Sequence, residues 1–223
     1  MTARQNLPTP DSAPPRASDS ALEVSQDVLA AGFVWRDLFE NELPVEVEIG
    51  CGKGLFLTTV AAAHPEVNWF GLERSSKHLR RAITRVTKAG LTNVRFTKAL
   101  AEDFLDAWLP AASVRAVHIF YPDPWPKKRH HRRRLLGLQR GPETLRSLER
   151  VIEPGGHLCV ATDHAAYAEV IEEVFRASTT LIREPAMYAH TMLPDPEAPL
   201  TEFERKYRIE GREMFHFSWK RIG

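Results

Sequence analysis

The stretch Val45-Glu46-Val47-Glu48-Ile49 runs straight into Gly50-Cys51-Gly52-Lys53-Gly54, and the pair narrows the fold more than any other part of the chain. The first five residues alternate and carry β-branched side chains at every second position, the pattern of a strand. Three glycines at alternate positions then let the backbone turn tightly and let another group approach it closely. Leu55 to Ala63 reads as a helix after the loop. A strand, a glycine turn and a helix in that order begin a βαβ unit.

The unit recurs. Val67 to Glu73 reads as a second strand, followed by a helix that Ser75 or Ser76 caps and Gly90 stops, with Leu79, Ala82, Ile83 and Val86 on one face. Asn93 to Ala99 is a third strand. Val114 to Tyr121 is a fourth, apolar nearly throughout, as a strand buried on both faces should be. Pro142 opens a helix that Pro154-Gly155-Gly156 ends. His157 to Ala161 is a fifth strand, and Tyr167, Val170, Ile171, Val174 and Phe175 stripe the helix behind it. Thr180 to Arg183 and Phe215 to Arg221 read as late strands, and 184–212 as mostly irregular. Such alternation predicts an α/β, Rossmann-like fold: a mostly parallel seven-stranded sheet, helices on both faces and an antiparallel C-terminal strand.

Composition sets the outer bounds. The chain has 223 residues, 43% of them hydrophobic, and a formal net charge of +1, so its basic character is local rather than general. The domain expectation is a proline-bearing disordered tail over 1–20, a helical lead-in over 21–43 and one domain over 44–223. Cys51 and Cys159 are far apart and form no CxxC pair, which points away from a metal site or disulfide framework and towards a reducing cytoplasm. No apolar run is long enough for a membrane span, and the first residues lack the apolar core of a signal peptide.

Ligands of such sheets bind at the carboxyl ends of the strands. The glycine loop, Glu73, Asp123 and Asp163 all fall there. Glu73 lies 19 residues after Gly54, where a carboxylate can accept both hydroxyls of a ribose. The glycines are spaced GxGxG, whereas the dinucleotide pattern needs its third glycine one residue later, where this chain has Leu55. The spacing favours a nucleoside without a pyrophosphate: S-adenosylmethionine. Glu48 reads either as a partner for that cofactor's charged amino-acid portion or as a polar position on an alternating strand.

The fourth strand ends in Tyr121-Pro122-Asp123-Pro124-Trp125-Pro126. Asp123 is either a turn residue bonding its own backbone or a working carboxylate in the cleft. Trp125 is either core or a wall for a base. Lys127-Lys128-Arg129-His130-His131-Arg132-Arg133-Arg134 follows at once, a run whose attachment to the cleft favours a polyanion over a merely solvated loop. Asp163 reads as a helix N-cap or a second cleft acid. His190 and His216 read as bystanders, and no metal is expected.

These pieces, in this order, resemble the tRNA (guanine-N7-)-methyltransferase family. The matching elements are Glu48 to Gly54, Gly71-Leu72-Glu73, Phe120 to Lys127, Arg132-Arg133-Arg134, Ala161-Thr162-Asp163 and Thr201-Glu202-Phe203-Glu204, spanning most of 45–221. The resemblance implies S-adenosylmethionine bound by Glu48, the glycines Gly50, Gly52 and Gly54, Glu73 and Asp123, with Asp123 also the active-site acid. It implies substrate contacts from Lys127, Asp163, Thr201, Glu202, Phe203 and Glu204, and an RNA-facing surface from Arg129, Arg132, Arg133 and Arg134. It further implies tRNA as partner, methylation in the variable loop, a cytoplasmic setting, no membrane, and action as a monomer or homodimer. The chain departs from the family at Leu100-Ala101, where the family carries an Asp beside the adenine; Glu102 and Asp103 lie just beyond.

Guanine N7 has a free lone pair at neutral pH, so its methylation needs alignment and charge stabilisation rather than a general base. Two other readings stand beside this one. A methyltransferase for an exocyclic amine would carry two prolines after the acid, where Asp123-Pro124-Trp125 has one. A non-catalytic RNA-binding protein would keep the fold without the activity.

Overall fold

The computed structural model describes residues 22–223; the expected tail over 1–20 lies outside them. Seven strands form one sheet: β1 (Val45–Ile49), β2 (Asn68–Leu72), β3 (Val94–Thr97), β4 (Val114–Phe120), β5 (Ile152–Thr162), β6 (Leu181–Glu184) and β7 (Phe215–Arg221). Their order is β3-β2-β1-β4-β5-β7-β6. The first five are parallel, and β7 runs antiparallel to both its neighbours. Strand order reverses between β1 and β4, which opens a crevice at their carboxyl ends.

The helices are α1 (Gln26–Ala30), α2 (Trp35–Phe39), α3 (Leu55–Ala63), α4 (Ser76–Ala89), α5 (Gly141–Val151), α6 (Ala165–Phe175) and α7 (Glu202–Ile209), with single turns at Ala101–Asp103 and Tyr188–Thr191. Adjacent strand residues point to opposite faces, so Trp69 joins a core with Phe56, Leu79 and Phe96, while Phe70 joins another with Trp35, Phe104 and Ile119. Each such side chain, fully buried, contributes about 1.5–3 kcal/mol. α4 illustrates the local logic. The Ser75 hydroxyl accepts from the His78 N–H, Leu79, Ala82, Ile83 and Val86 are buried, and Gly90 ends the helix at φ +69°. Gly71 in β2 has no room for a side chain, since an added Cβ would sit 2.6 Å from both Leu57 and Phe96.

One expectation is corrected and another is refined. β5 starts at Ile152, before the Pro154-Gly155-Gly156 that reads as a stop. The irregular register beside Val114 and Ala116, and φ +85° at Gly155, accommodate these residues in the strand. The stretch 184–212 is irregular over more than half its length, as expected, but it also holds the Tyr188–Thr191 turn and α7. Thr201 caps α7 by accepting from the Glu204 N–H at 3.1 Å. Thr201-x-x-Glu204 is a capping-box spacing, the one sequence signal for this helix. Its apolar content is too thin for periodicity to show, and Ile209 is 83% exposed.

Candidate active site

The glycine loop leaves β1 at Ile49 and turns on three left-handed residues, Gly50, Gly52 and Gly54, at φ +79°, +56° and +72°. Gly54 also meets α4, for a Cβ there would lie 2.9 Å from that of Ala82. The close packing that a dinucleotide site obtains from a later glycine is thus supplied by the third glycine of this shorter loop, and Leu55 can begin α3. Glu73, at the end of β2, accepts from the Gly52 N–H at 3.0 Å and from the Ser75 N–H at 2.7 Å, one through each oxygen. A carboxylate has about four lone-pair sites, so two remain for a ligand. Glu48 is buried, and its Oε2 has no hydrogen-bond partner among the described residues. Burial first, and the neighbouring Glu73 charge second, push its carboxyl up to about 8.

A cavity of about 750 Å³ opens beside Gly50, Gly52 and Glu73, while the buried Glu48 is not part of its lining. Ile49, Leu72, Ala99 and Leu100 give it an apolar floor, Gly50, Gly52 and Glu73 one wall, and Asp123, Trp125 and Phe203 the other; Arg132 and Arg133 stand at its edge. Leu100 is half exposed. Glu102 lines the cavity and Asp103, exposed, does not, which separates the two acids beyond Leu100.

The Asp123 turn is built under strain. Tyr121 and Trp125 both adopt positive φ, +51° and +41°, a conformation costing non-glycine residues roughly 1–2 kcal/mol. The Tyr121 N–H bonds the Ala161 carbonyl at 2.7 Å, and Arg134 Nε donates to the Pro124 carbonyl at 2.6 Å. These bonds hold the turn at both ends and leave Asp123 exposed, 3.4 Å from Arg74. An exposed pair of that kind contributes little and parts easily.

Arg134 corrects an expectation. It is buried, with its guanidinium 4.7 Å from the centroid of the Tyr167 ring, so it supports the turn and does not face RNA. Lys127, Arg129, Arg132 and Arg133 are exposed. Arg133 lies over the Trp125 ring at 4.9 Å, a contact that preorganises the ring and the cation together.

Of the late residues, Phe203 is 52% exposed and lines the cavity, while Glu202 takes a 2.8 Å bond from Arg85 that ties the start of α7 to α4. Glu204 is a second correction. It is fully buried, accepting from the Leu200 N–H and from Arg208, and has no face for a substrate. Burial, with the Glu204 charge next, pushes the Tyr121 phenol up. Asp163 does not cap α6. It pairs with Arg212 at 2.9 Å, and it does not line the cavity.

A family described as "Putative methyltransferase" matches residues 42–217. The tRNA (guanine-N(7)-)-methyltransferase of Nocardia farcinica is 38% identical over 82% of this chain and 70% of that protein. The protein of the same name from Acidithiobacillus ferrooxidans is 33% identical over 100% of this chain and 90% of its own length. Among solved structures, the 16S rRNA methyltransferase KamB matches with a TM-score of 0.57 at 17% identity, over 85% of this chain and 93% of that one, a likeness of fold. A mostly parallel sheet of this order, a glycine turn after β1 and a carboxylate at the end of β2 are those of a class I S-adenosylmethionine-dependent methyltransferase. Within that class, the chain belongs to the tRNA (guanine-N(7)-)-methyltransferase family.

Proposed function

We propose that this chain transfers the methyl group of S-adenosylmethionine to N7 of a guanine in the variable loop of tRNA, and does so in the cytoplasm, as a monomer or homodimer. One observation carries the reading: a single cavity runs from Gly50, Gly52 and Glu73 to Asp123, Phe203 and the exposed Arg132 and Arg133, with Glu48 buried beneath the glycine turn. When bound, S-adenosylmethionine supplies an electrophilic methyl group on a sulfonium.

The residues present fit that group. The unpartnered Glu48 oxygen suits an ammonium, the spare lone pairs of Glu73 suit two ribose hydroxyls, and Ile49, Leu72, Ala99 and Leu100 suit an adenine face. Glu102, rather than Leu100, supplies the carboxylate on the adenine side. Gly50, Gly52 and Gly54 bring the backbone close enough to exclude water from the cofactor's amino-acid end.

On the other side, Asp123 exchanges Arg74 for the N–H edge of guanine and faces the positive charge that grows on the purine as the methyl arrives. No group has to remove a proton from N7, so the chain's work is alignment. Phe203 and the Arg133-covered Trp125 close over the base. Lys127, Thr201, Glu202 and the Asp163–Arg212 pair act at the rim, and Arg129, Arg132 and Arg133 hold phosphates.

The test is transfer of radiolabelled methyl to unmodified tRNA, followed by mapping of alkali-labile sites. Label at alkali-labile guanines in the variable loop is the expected result. Label on an exocyclic amine, or no transfer by a chain that binds cofactor and tRNA, would sink the reading.

A further inference from the structure

Away from the cavity, three side chains from three separate segments converge: His190 from the Tyr188–Thr191 turn, His216 from β7 and Glu204 from α7. We propose that they form a binding site for a divalent metal ion of the zinc type. Their ligand atoms all lie within 4.8 Å of one another, with His216 Nε2 3.9 Å from Glu204 Oε1 and the two imidazoles edge to face at 5.1 Å.

Both His190 Nε2 and His216 Nε2 are buried and have no hydrogen-bond partner among the described residues. Two buried nitrogens aimed into one space without partners need an explanation, and a shared ion supplies it. Burial lowers the pKa of both imidazoles; Arg208 acts in the same direction, and Glu204 against it. The neutral ring, which keeps a lone pair on one nitrogen, is therefore the favoured form. Two neutral imidazoles and a carboxylate are a donor set suited to Zn²⁺, with a fourth position left for water.

Tetrahedral zinc places its ligands about 2.0–2.2 Å from the metal, so the three side chains rotate inward on binding. Arg208 is the competitor, since it donates to Glu204 Oε1 at 2.6 and 3.1 Å while the Leu200 N–H occupies Oε2. Three of roughly four lone-pair sites are then used, and the Tyr121 phenol also faces Glu204, so the ion takes its place on the carboxylate by displacing the phenol or one of the Arg208 bonds. Arg208 also donates to the Glu197 carbonyl, which holds it as Glu204 turns.

The ion would fasten α7, the helix that presents Phe203 to the cavity, to β7 and to the Tyr188–Thr191 turn. It would act as a clamp and have no part in methyl transfer, so its presence is tested without the reaction.

The experiment uses the full chain, stripped with a chelator and titrated with Zn²⁺ alone, then with Co²⁺ as a visible reporter. One ion per chain, a low-symmetry Co²⁺ spectrum, and a melting midpoint that climbs with free Zn²⁺ are expected. His190→Gln and His216→Gln should each abolish the saturable site and the midpoint shift while the circular dichroism stays that of the parent. Absence of saturable binding by the parent chain overturns the proposal whatever the variants do. So does binding that both variants retain, which would assign the ion to the exposed histidine–arginine run.

Discussion

Glu48 carries the sharpest test at the level of single residues. Its folded-state pKa of about 8 lies above the ordinary 4.5, so the fold favours the protonated acid. That contribution to stability is whole below the ordinary value and is lost as pH rises through about 8. A cofactor ammonium beside it reverses the preference. Binding of S-adenosylmethionine at neutral pH should therefore release up to one proton, read as a dependence of calorimetric heat on buffer ionisation. Glu48→Gln should remove the release and weaken binding by about 1.5–3 kcal/mol, the range for a hydrogen bond to a charged group. Asp123 works at the other end. Asp123→Ala should lower turnover on tRNA about 10²-fold, as loss of one preorganised electrostatic group does elsewhere, while the folded variant still binds cofactor. The positions of both acids were legible, because Glu48 lies one residue before the end of a readable strand and Asp123 lies in the turn after another. Arg134 and Glu204 were not. A cation inside a run of cations has the same sequence neighbours whether it faces water or Tyr167, and a capping-box glutamate looks like any surface acid until the chain folds over it.

The elements were legible to the degree that their burial is periodic. α3 and β7 have the expected boundaries, and α4 and α6 bury the face the spacing predicts, except that Ala168 takes an interior place beside a partly buried Val170. α7 escaped because its hold on the molecule is polar: the Thr201 cap, the Arg85–Glu202 pair and the pairing of buried Glu204 with Arg208. Thr201→Ala should cost about 0.5–2 kcal/mol in chemical denaturation, the range for a lost N-cap. At the glycine loop the penalty is steric. Gly54→Ala combines φ +72° with a Cβ 2.9 Å from that of Ala82, so it should destabilise the chain by about 1–3 kcal/mol, as overpacking does. Gly50→Ala meets nothing within 4 Å and should cost only its backbone strain. Comparing the two by denaturant midpoint separates crowding from conformation.

Across the whole molecule the formal charge is only +1, so under the proposed function RNA attraction falls to the basic run after Asp123. Arg129, Arg132 and Arg133 are exposed, the last two lining the cavity, and Arg134 is buried. Substituting any one of the exposed three with Ala should flatten the plot of log binding constant against log salt by about 0.7–0.9, one phosphate contact. Arg134→Ala should lower the melting temperature first, since it removes the bond to Pro124 and the contact with Tyr167. Among the described residues no helix is long and apolar enough to cross a membrane. The order of the sheet has a consequence of its own. β7 comes last of the strands in the chain, yet it lies between β5 and β6. While the polypeptide is still leaving the ribosome, β5 has a bare flank and β6 has nothing to pair with. The nascent sheet stays open at that seam until Phe215 to Arg221 emerges and fills it, and until then the seam is the place where a chaperone has most to protect.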